Sequence, residues 1–144
     1  MGRYRHTVDA KGRIFLPAKV REEIGTSVYV TKSLDPECLS GYTSQQFMDI
    51  RTQLSKLPGT DPVVREMKRQ VLGEAIGCDL DAQGRISVTD ELWSQVGIRP
   101  GDEIYIVYLY EKFEIWPAAA YDAKRADRGS ALSEDLSRYA VTGV

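Results

Sequence analysis

The feature that most constrains the fold of this chain is a short segment that occurs twice. Residues 9–25 read DAKGRIFLPAKVREEIG and residues 81–97 read DAQGRISVTDELWSQVG, so the two copies start 72 positions apart. Six of the 17 aligned positions are identical, and three more keep an apolar residue. Because this period is longer than that of most solenoid repeats, the sequence predicts a duplicated small domain.

Both copies predict the same order of elements, which is strand, turn, strand and helix. Apolar and polar residues alternate before each Asp, as in a strand with one buried face. Asp9 and Gly12 in the first copy, like Asp81 and Gly84 in the second, are typical turn residues, because Asp accepts hydrogen bonds from a turn and Gly adopts positive φ. Apolar residues spaced four apart then predict a helix, which a glycine ends.

Helical patterns also lie between the copies and after the second one. The sequence therefore predicts an α+β fold, in which two β-rich units with companion helices pack about a pseudo-twofold axis as an internal dimer. We divide the chain into a first repeat at 1–58, a connecting helix at 59–74, a second repeat at 75–128 and a tail at 129–144. A chain of 144 residues is long enough for two such small units.

Positive charge is concentrated at the start of a chain whose net charge is only −2. Residues 1–21 hold six basic residues against Asp9 alone, a local charge of +5 that leaves −7 for the rest. A basic segment on an acidic body can attract a polyanion locally.

The two copies differ most at these basic positions. The basic residues of the first copy align with neutral, acidic or aromatic residues of the second, whereas apolar positions are retained. The pairs are Arg3 with Ala75, Arg5 with Gly77, Lys11 with Gln83, Lys19 with Glu91, and Arg21 with Trp93. We therefore expect the first copy to contact DNA and the second to act mainly as scaffold. The predicted DNA-binding residues are Arg3, Arg5, Lys11, Arg13, Lys19 and Arg85, and the predicted turn residues are Asp9, Gly12, Asp81 and Gly84.

Arg13 and Arg85 are the one basic pair that both copies share. Each follows an Asp by four residues, so each could brace its own turn through an ion pair. An arginine could equally make bidentate contacts to phosphate or to guanine. The sequence leaves both roles open, with bracing the stronger interpretation at Arg85.

Other functional classes find little support in the residues. One histidine, His6, cannot supply the usual catalytic sets, and no phosphate-binding loop or dinucleotide motif occurs. Cys38 and Cys78 are too few and too far apart for a zinc site, and as reduced thiols they fit a cytoplasmic protein. We expect no catalytic residues, cofactor, metal or small-molecule substrate. No apolar run is long enough to span a membrane.

The opening RYRHTVDAKGRIFLPAKVREEIG resembles the start of the MraZ family of bacterial transcription regulators. The resemblance continues through DAQGRISV and the segment 113–116, and two D-x-x-x-R motifs at this spacing are its hallmark. It implies tandem swapped-hairpin units like those of SpoVT–AbrB regulators, and DNA contacts from the two motif arginines with Lys11 beside the first. Ser40-Gly41 departs from the larger apolar residues usual there.

The same resemblance implies a biological role. It predicts sequence-specific binding to repeated promoter boxes on double-stranded DNA, repression of the protein's own division and cell-wall operon, and a ring-shaped homo-oligomer in the nucleoid. An alternative is an antitoxin-like protein-interaction module without a promoter of its own, in which residues 129–144 capture a partner. Such a module would not need the basic segment.

Overall fold

A computed structural model describes residues 1–128 and 131–143 of the chain. Pairs of strands are followed by one or two helices along the chain, and the strands pair antiparallel, as expected for an α+β fold. The strands are β1 (Gly2–Thr7), β2 (Arg13–Phe15), β3 (Ser27–Lys32), β4 (Leu39–Tyr42), β5 (Ile76–Asp79), β6 (Arg85–Ser87), β7 (Glu103–Tyr108) and β8 (Phe113–Pro117). The helices are α1 (Ala18–Ile24), α2 (Ser44–Ser55), α3 (Pro62–Lys68), α4 (Asp90–Gln95), α5 (Ala118–Arg128) and α6 (Ala131–Leu136).

Six strands form one antiparallel sheet in the order β1-β7-β8-β4-β3-β5, and β2 and β6 form a separate antiparallel ribbon. The sequence halves are interleaved in both. The first strand of the chain, β1, pairs with β7 of the second half, whereas β5 of the second half pairs with β3 of the first. Neither half could therefore satisfy the hydrogen bonds of its first strand alone.

The two faces of the large sheet carry different layers. The main core lies between the inner face and the ribbon with α1 and α4, and it includes Ile14, Ile86, Val20, Leu92 and Ile106. The outer face is covered by α2, α5 and the π-helical turn Arg69–Gly73. A smaller apolar cluster lies there, formed by Cys38, Tyr105, Val107, Trp116 and Ala118.

Local chemistry explains where the helices begin. Thr43 caps α2, because its hydroxyl accepts a hydrogen bond from the backbone N–H of Gln46. In turn, the side-chain oxygen of Gln46 accepts a hydrogen bond from the backbone N–H of Thr43. The Asp61 carboxylate accepts from the N–H of Val63 at 2.9 Å, and Pro62 opens α3.

The structure differs in detail from the predicted connecting helix and also describes most of the predicted tail. The predicted connecting helix is α-helical over Pro62–Lys68 and continues as the π-helical turn, whose Val71 carbonyl accepts a hydrogen bond from the hydroxyl of Thr31 at 2.6 Å. The weakly patterned tail forms α6. Residues 129, 130 and 144 lie outside the described residues, so the predicted boundary at 129 also lies outside them.

The Ser40-Gly41 departure has a packing explanation. The Phe113 ring lies so close over Gly41 that any Cβ there would overlap it. Gly41 and Phe113 are opposite each other in the β4–β8 pair, so the aromatic ring fills the volume that a larger residue at 41 would take.

Candidate nucleic-acid interface

The ribbon places the two copies of the repeated segment side by side. Ile14 lies opposite Ile86, its equivalent 72 positions later, and both side chains are buried in the core. Because side chains alternate along a strand, the neighbouring residues point away from the core. The outward face of the ribbon consists of Arg13 opposite Ser87 and Phe15 opposite Arg85.

An Asp–Arg turn precedes each strand of the ribbon. In the first turn (residues 9–13), one carboxylate oxygen of Asp9 accepts from the backbone N–H groups of Lys11 and Arg13, both at 2.9 Å. The other oxygen accepts from Nε of Arg13 at 2.7 Å. Gly12 has a φ of 76°, which favours glycine.

The second turn (residues 81–85) repeats this arrangement. Asp81 accepts from the N–H groups of Gln83 and Arg85 at 2.9 Å and from Nε of Arg85 at 2.7 Å, and Gly84 has a φ of 79°. Both motif arginines therefore brace their turns, as the structural interpretation requires. Bracing occupies only Nε, and no hydrogen bond from Nη of Arg13 or Arg85 is found among the described residues.

The same contacts keep both carboxylates ionised. The backbone N–H of Arg13, with further help from its side chain, lowers the pKa of Asp9 below its usual value. The backbone N–H and side chain of Arg85 lower the pKa of Asp81 in the same way. Both aspartates are therefore ionised near neutral pH, which is the form that accepts the hydrogen bonds of each turn.

Each turn is also held by the helix of the other copy. The buried Trp93 of α4 donates from Nε1 to the carbonyl of Gly12 in the first turn at 2.9 Å. Arg21, the α1 residue that aligns with Trp93, lies against Gly84 of the second turn, where a Cβ would come within 2.5 Å of its Nη1. The two turns are thus fixed relative to the core and to each other.

Arg21 is a cation of this surface that the sequence analysis did not include among the site residues. The sequence indicated Arg21 as a basic residue that the second copy replaces, since it aligns with Trp93. Only the fold shows that Arg21 lies against the second turn. Lys11 is exposed at the first turn, and Lys19 is exposed on α1. The surface around the ribbon, which we call the ribbon face, contains Lys11, Arg13, Phe15, Arg21, Arg85 and Ser87.

Arg3 and Arg5 do not lie on the ribbon face. In β1 they are opposite Val107 and Tyr105, on the outer face of the large sheet, whereas the ribbon packs against the inner face. The guanidinium of Arg3 lies 4.6 Å from the centre of the Tyr105 ring. Arg5 is ion-paired with Glu103 and donates to the Tyr105 hydroxyl at 3.2 Å. The six predicted DNA-binding residues therefore fall on two surfaces.

One cluster outside the ribbon face has donor atoms suited to a metal. Atoms of Asp35, Cys38 and Glu114 lie within 4.8 Å of one another. However, both carboxylate oxygens of Glu114 already have partners, since Lys112 is ion-paired with one at 3.3 Å and Nε1 of Trp116 donates to the other at 3.0 Å. This cluster therefore carries no metal assignment.

A family model described as "MraZ protein, putative antitoxin-like" matches residues 1–70 and again residues 71–139. The chain belongs to the MraZ family. The two matched segments correspond to the two copies of the Asp–Arg turn, and the predicted family resemblance is confirmed.

Curated relatives of the MraZ family cover nearly the whole chain. A protein of Ligilactobacillus salivarius named "Transcriptional regulator MraZ" is 39% identical over 137 residues, which are 95% of this chain and 93% of that protein. A protein of the same name from Acetivibrio thermocellus is 31% identical over 99% of this chain and 98% of its own length. A solution structure of PHS018 from Pyrococcus horikoshii aligns with 79% of this chain and 85% of its own at 17% identity, with a TM-score of 0.33, a likeness too low to carry weight. Every helix within residues 1–128 and 131–143 is too short or too polar to cross a membrane.

Proposed function

We propose that this MraZ-family protein regulates transcription by binding double-stranded promoter DNA through its ribbon face. Its relatives are named transcriptional regulators, and that name describes a regulatory protein and not an enzyme. The observation that carries the proposal is the pair of braced Asp–Arg turns, which hold one arginine at each end of the outward face of the ribbon, Arg13 opposite Ser87 and Arg85 opposite Phe15.

The shape and charge of the ribbon face fit DNA. The major groove of B-DNA is wide enough for a two-stranded ribbon. Lys11, Arg13, Arg21 and Arg85 supply four cations against two aspartates, each already bonded to an arginine. The Nη groups of Arg13 and Arg85 can then donate to phosphate or to O6 and N7 of guanine. Lys19 lies two residues before Arg21 in α1 and is exposed, and we assign it a contact with the flanking phosphate backbone.

The proposal extends to the internal symmetry of the chain. Interleaved pairing, with β1 on β7, β5 on β3 and Ile14 opposite Ile86, supports two swapped-hairpin units arranged as a pseudo-twofold internal dimer. Such an arrangement would bring the two turns to equivalent positions along one groove. It also supports the division into repeats at 1–58 and 75–128, with 59–74 as connector and 129–144 as tail.

The finer biological role rests on the family. We propose that the protein represses its own division and cell-wall operon from repeated promoter boxes, as a ring-shaped homo-oligomer in the cytoplasm and nucleoid. Physical reasoning favours an oligomer, because one ribbon face with a few phosphate contacts binds DNA at roughly 10⁻⁴–10⁻⁶ M, and linking several faces can raise the affinity by about 10²–10⁴.

Arg3 and Arg5 remain predicted DNA contacts, but they lie outside the ribbon face. Their contacts with Tyr105 and Glu103 already give them a structural role on the outer face of the sheet. DNA reaching them would have to pass the edge of the large sheet. We therefore expect their neutralisation to reduce DNA affinity less than neutralisation of Lys11 and Arg13.

A footprint of the DNA upstream of the protein's own gene tests the proposal. We expect protection of short, regularly spaced boxes at 50 mM salt that weakens at 200 mM salt, because phosphate contacts release counterions. Absence of protection at both salt concentrations would contradict it. The antitoxin-like interaction module would then be the better interpretation.

A further inference from the structure

An exposed aromatic side chain lies on the ribbon face, at the end of β2. Phe15 is 47% exposed, although its neighbours in the chain, Ile14 and Leu16, are almost fully buried. Its backbone position in β2 points it outward, opposite Arg85 of β6. The guanidinium carbon of Arg85 lies 5.7 Å from the centre of the Phe15 ring, within the range of a cation–π contact.

The fold itself does not require this phenylalanine. At the equivalent position of the second copy, the ribbon has Ser87, which is exposed and lies opposite Arg13. Each half of the ribbon face therefore contains one arginine, and the two halves differ in the residue opposite that arginine. An exposed aromatic residue costs solubility and contributes little to the core, so a contact with a ligand accounts for it better than packing does.

We propose that Phe15 determines part of the DNA sequence preference by contacting the 5-methyl groups of thymine in the major groove. This inference rests on the proposed function. Of the groups that base pairs present in that groove, the thymine methyl is the apolar one, and phenylalanine is among the side chains that contact it. A ribbon inserted into the groove brings its outward side chains to the base edges.

The neighbouring arginine sharpens this preference. Arg85 is held by Asp81 through Nε and touches the Phe15 ring, so the two side chains present an apolar surface and a row of N–H donors next to each other. Such a pair fits thymine beside guanine. The other half, with Arg13 and Ser87, has no apolar surface of this kind, so the ribbon face reads the two halves of its target differently.

The test compares DNA with and without the methyl group. The DNA upstream of the protein's own gene is amplified once with thymine and once with uracil, which differs from thymine by that methyl. Binding of the unmodified protein and of Phe15→Ala is measured by fluorescence anisotropy at one fixed salt concentration. Phe15→Ser, which copies Ser87, serves as a second variant, and Val63→Ala controls for truncation of an apolar side chain 69% exposed elsewhere.

For the unmodified protein and for Val63→Ala, we expect uracil to weaken binding about fourfold per contacted methyl group, equivalent to about 0.8 kcal/mol. For Phe15→Ala and Phe15→Ser, we expect this loss to disappear, so that only the effect of uracil on DNA shape remains. General effects of uracil on DNA shape act on all four proteins alike, so the difference between the ratios isolates the contact.

Two results would overturn the inference in distinguishable ways. If the unmodified protein binds DNA with the expected salt dependence but shows the same thymine-to-uracil ratio as Phe15→Ala, Phe15 does not read thymine and the proposed function stands. If the unmodified protein binds neither DNA, the proposed function fails and the inference fails with it.

Discussion

Lys11 offers the sharpest perturbation of the ribbon face, because the second copy of the repeat shows what can replace it. Its equivalent is Gln83, which makes the same backbone contact to its aspartate at the same 2.9 Å distance. Lys11→Gln should therefore leave the first turn intact and remove one positive charge. Any loss of DNA binding would then report on charge and not on folding.

The expected magnitude follows from the number of cations. Each phosphate that a protein neutralises contributes about 0.9 to the slope of log affinity against log salt. If all four cations of the ribbon face contact phosphate, that slope is about −3.6 for one engaged face, and affinity falls roughly 150-fold between 50 and 200 mM salt. With Lys11→Gln, the slope becomes about −2.7 and the fall roughly 40-fold.

Fluorescence anisotropy titrations on upstream DNA at four or more salt concentrations give this slope directly. Gln83→Lys is the matched variant, and it should steepen the slope by about 0.9 per engaged face. Identical slopes for the unmodified protein and both variants, in samples with unchanged thermal stability, would refute the reasoning that the turns contact phosphate.

Three further predictions concern the support of the ribbon face. Trp93→Phe removes the indole donor to the carbonyl of Gly12, which still accepts from the backbone N–H of Val88 at 3.3 Å, so chemical denaturation should show a loss of about 0.5–1.5 kcal/mol in the free energy of unfolding. Because Asp9 and Asp81 have lowered pKa values in the folded state, their stabilising contribution is complete above the ordinary carboxyl pKa and is lost as the pH falls through the folded values. The free energy of unfolding should thus decline on acidification below about pH 4, and less steeply in Asp9→Asn; an equal decline in both proteins would argue against the brace. Burial raises the pKa of Cys38 to about 12 and of Cys78 to about 11, so a thiol reagent at pH 8 should react with both only after denaturant is added, and rapid reaction in the native protein would contradict their burial.

Sequence periodicity was a sound guide to the repeated elements of the fold. Alternation before each Asp–Arg turn predicted the strands β1 and β5, and apolar residues spaced four apart after each turn predicted the helices α1 and α4. Periodicity did not indicate β4, because Leu39–Tyr42 contains Gly41, whose suitability depends on the Phe113 ring of another strand. A contact between distant segments leaves no periodic signal in either one.

The candidate site shows the same division between local and tertiary information. Turn chemistry is local, so the roles of Asp9, Gly12 and their equivalents could be predicted from the sequence alone. The separation of Arg3 and Arg5 from the turns could not be, since it depends on which face of β1 the ribbon covers. Comparison of the two copies identified which charges differ, but only the fold shows which of them share a surface.

The central claim is that the two motif arginines bind DNA as well as bracing their turns. The affinity of Arg13→Gln/Arg85→Gln for upstream DNA tests it most directly, with Asp9→Asn/Asp81→Asn as the variant that removes the braces but keeps both arginines. Arg51→Gln/Lys56→Gln removes two exposed charges from α2 and its end, away from the ribbon face.

We predict that the double arginine variant loses at least about 30-fold in affinity, since each arginine contact contributes about 1–3 kcal/mol. The aspartate variant keeps both guanidinium groups and should lose clearly less affinity than the arginine variant, whereas Arg51→Gln/Lys56→Gln should stay within about threefold of the unmodified protein. Full affinity of the arginine variant, or an equal loss in the aspartate variant, would show that these arginines serve the turns alone.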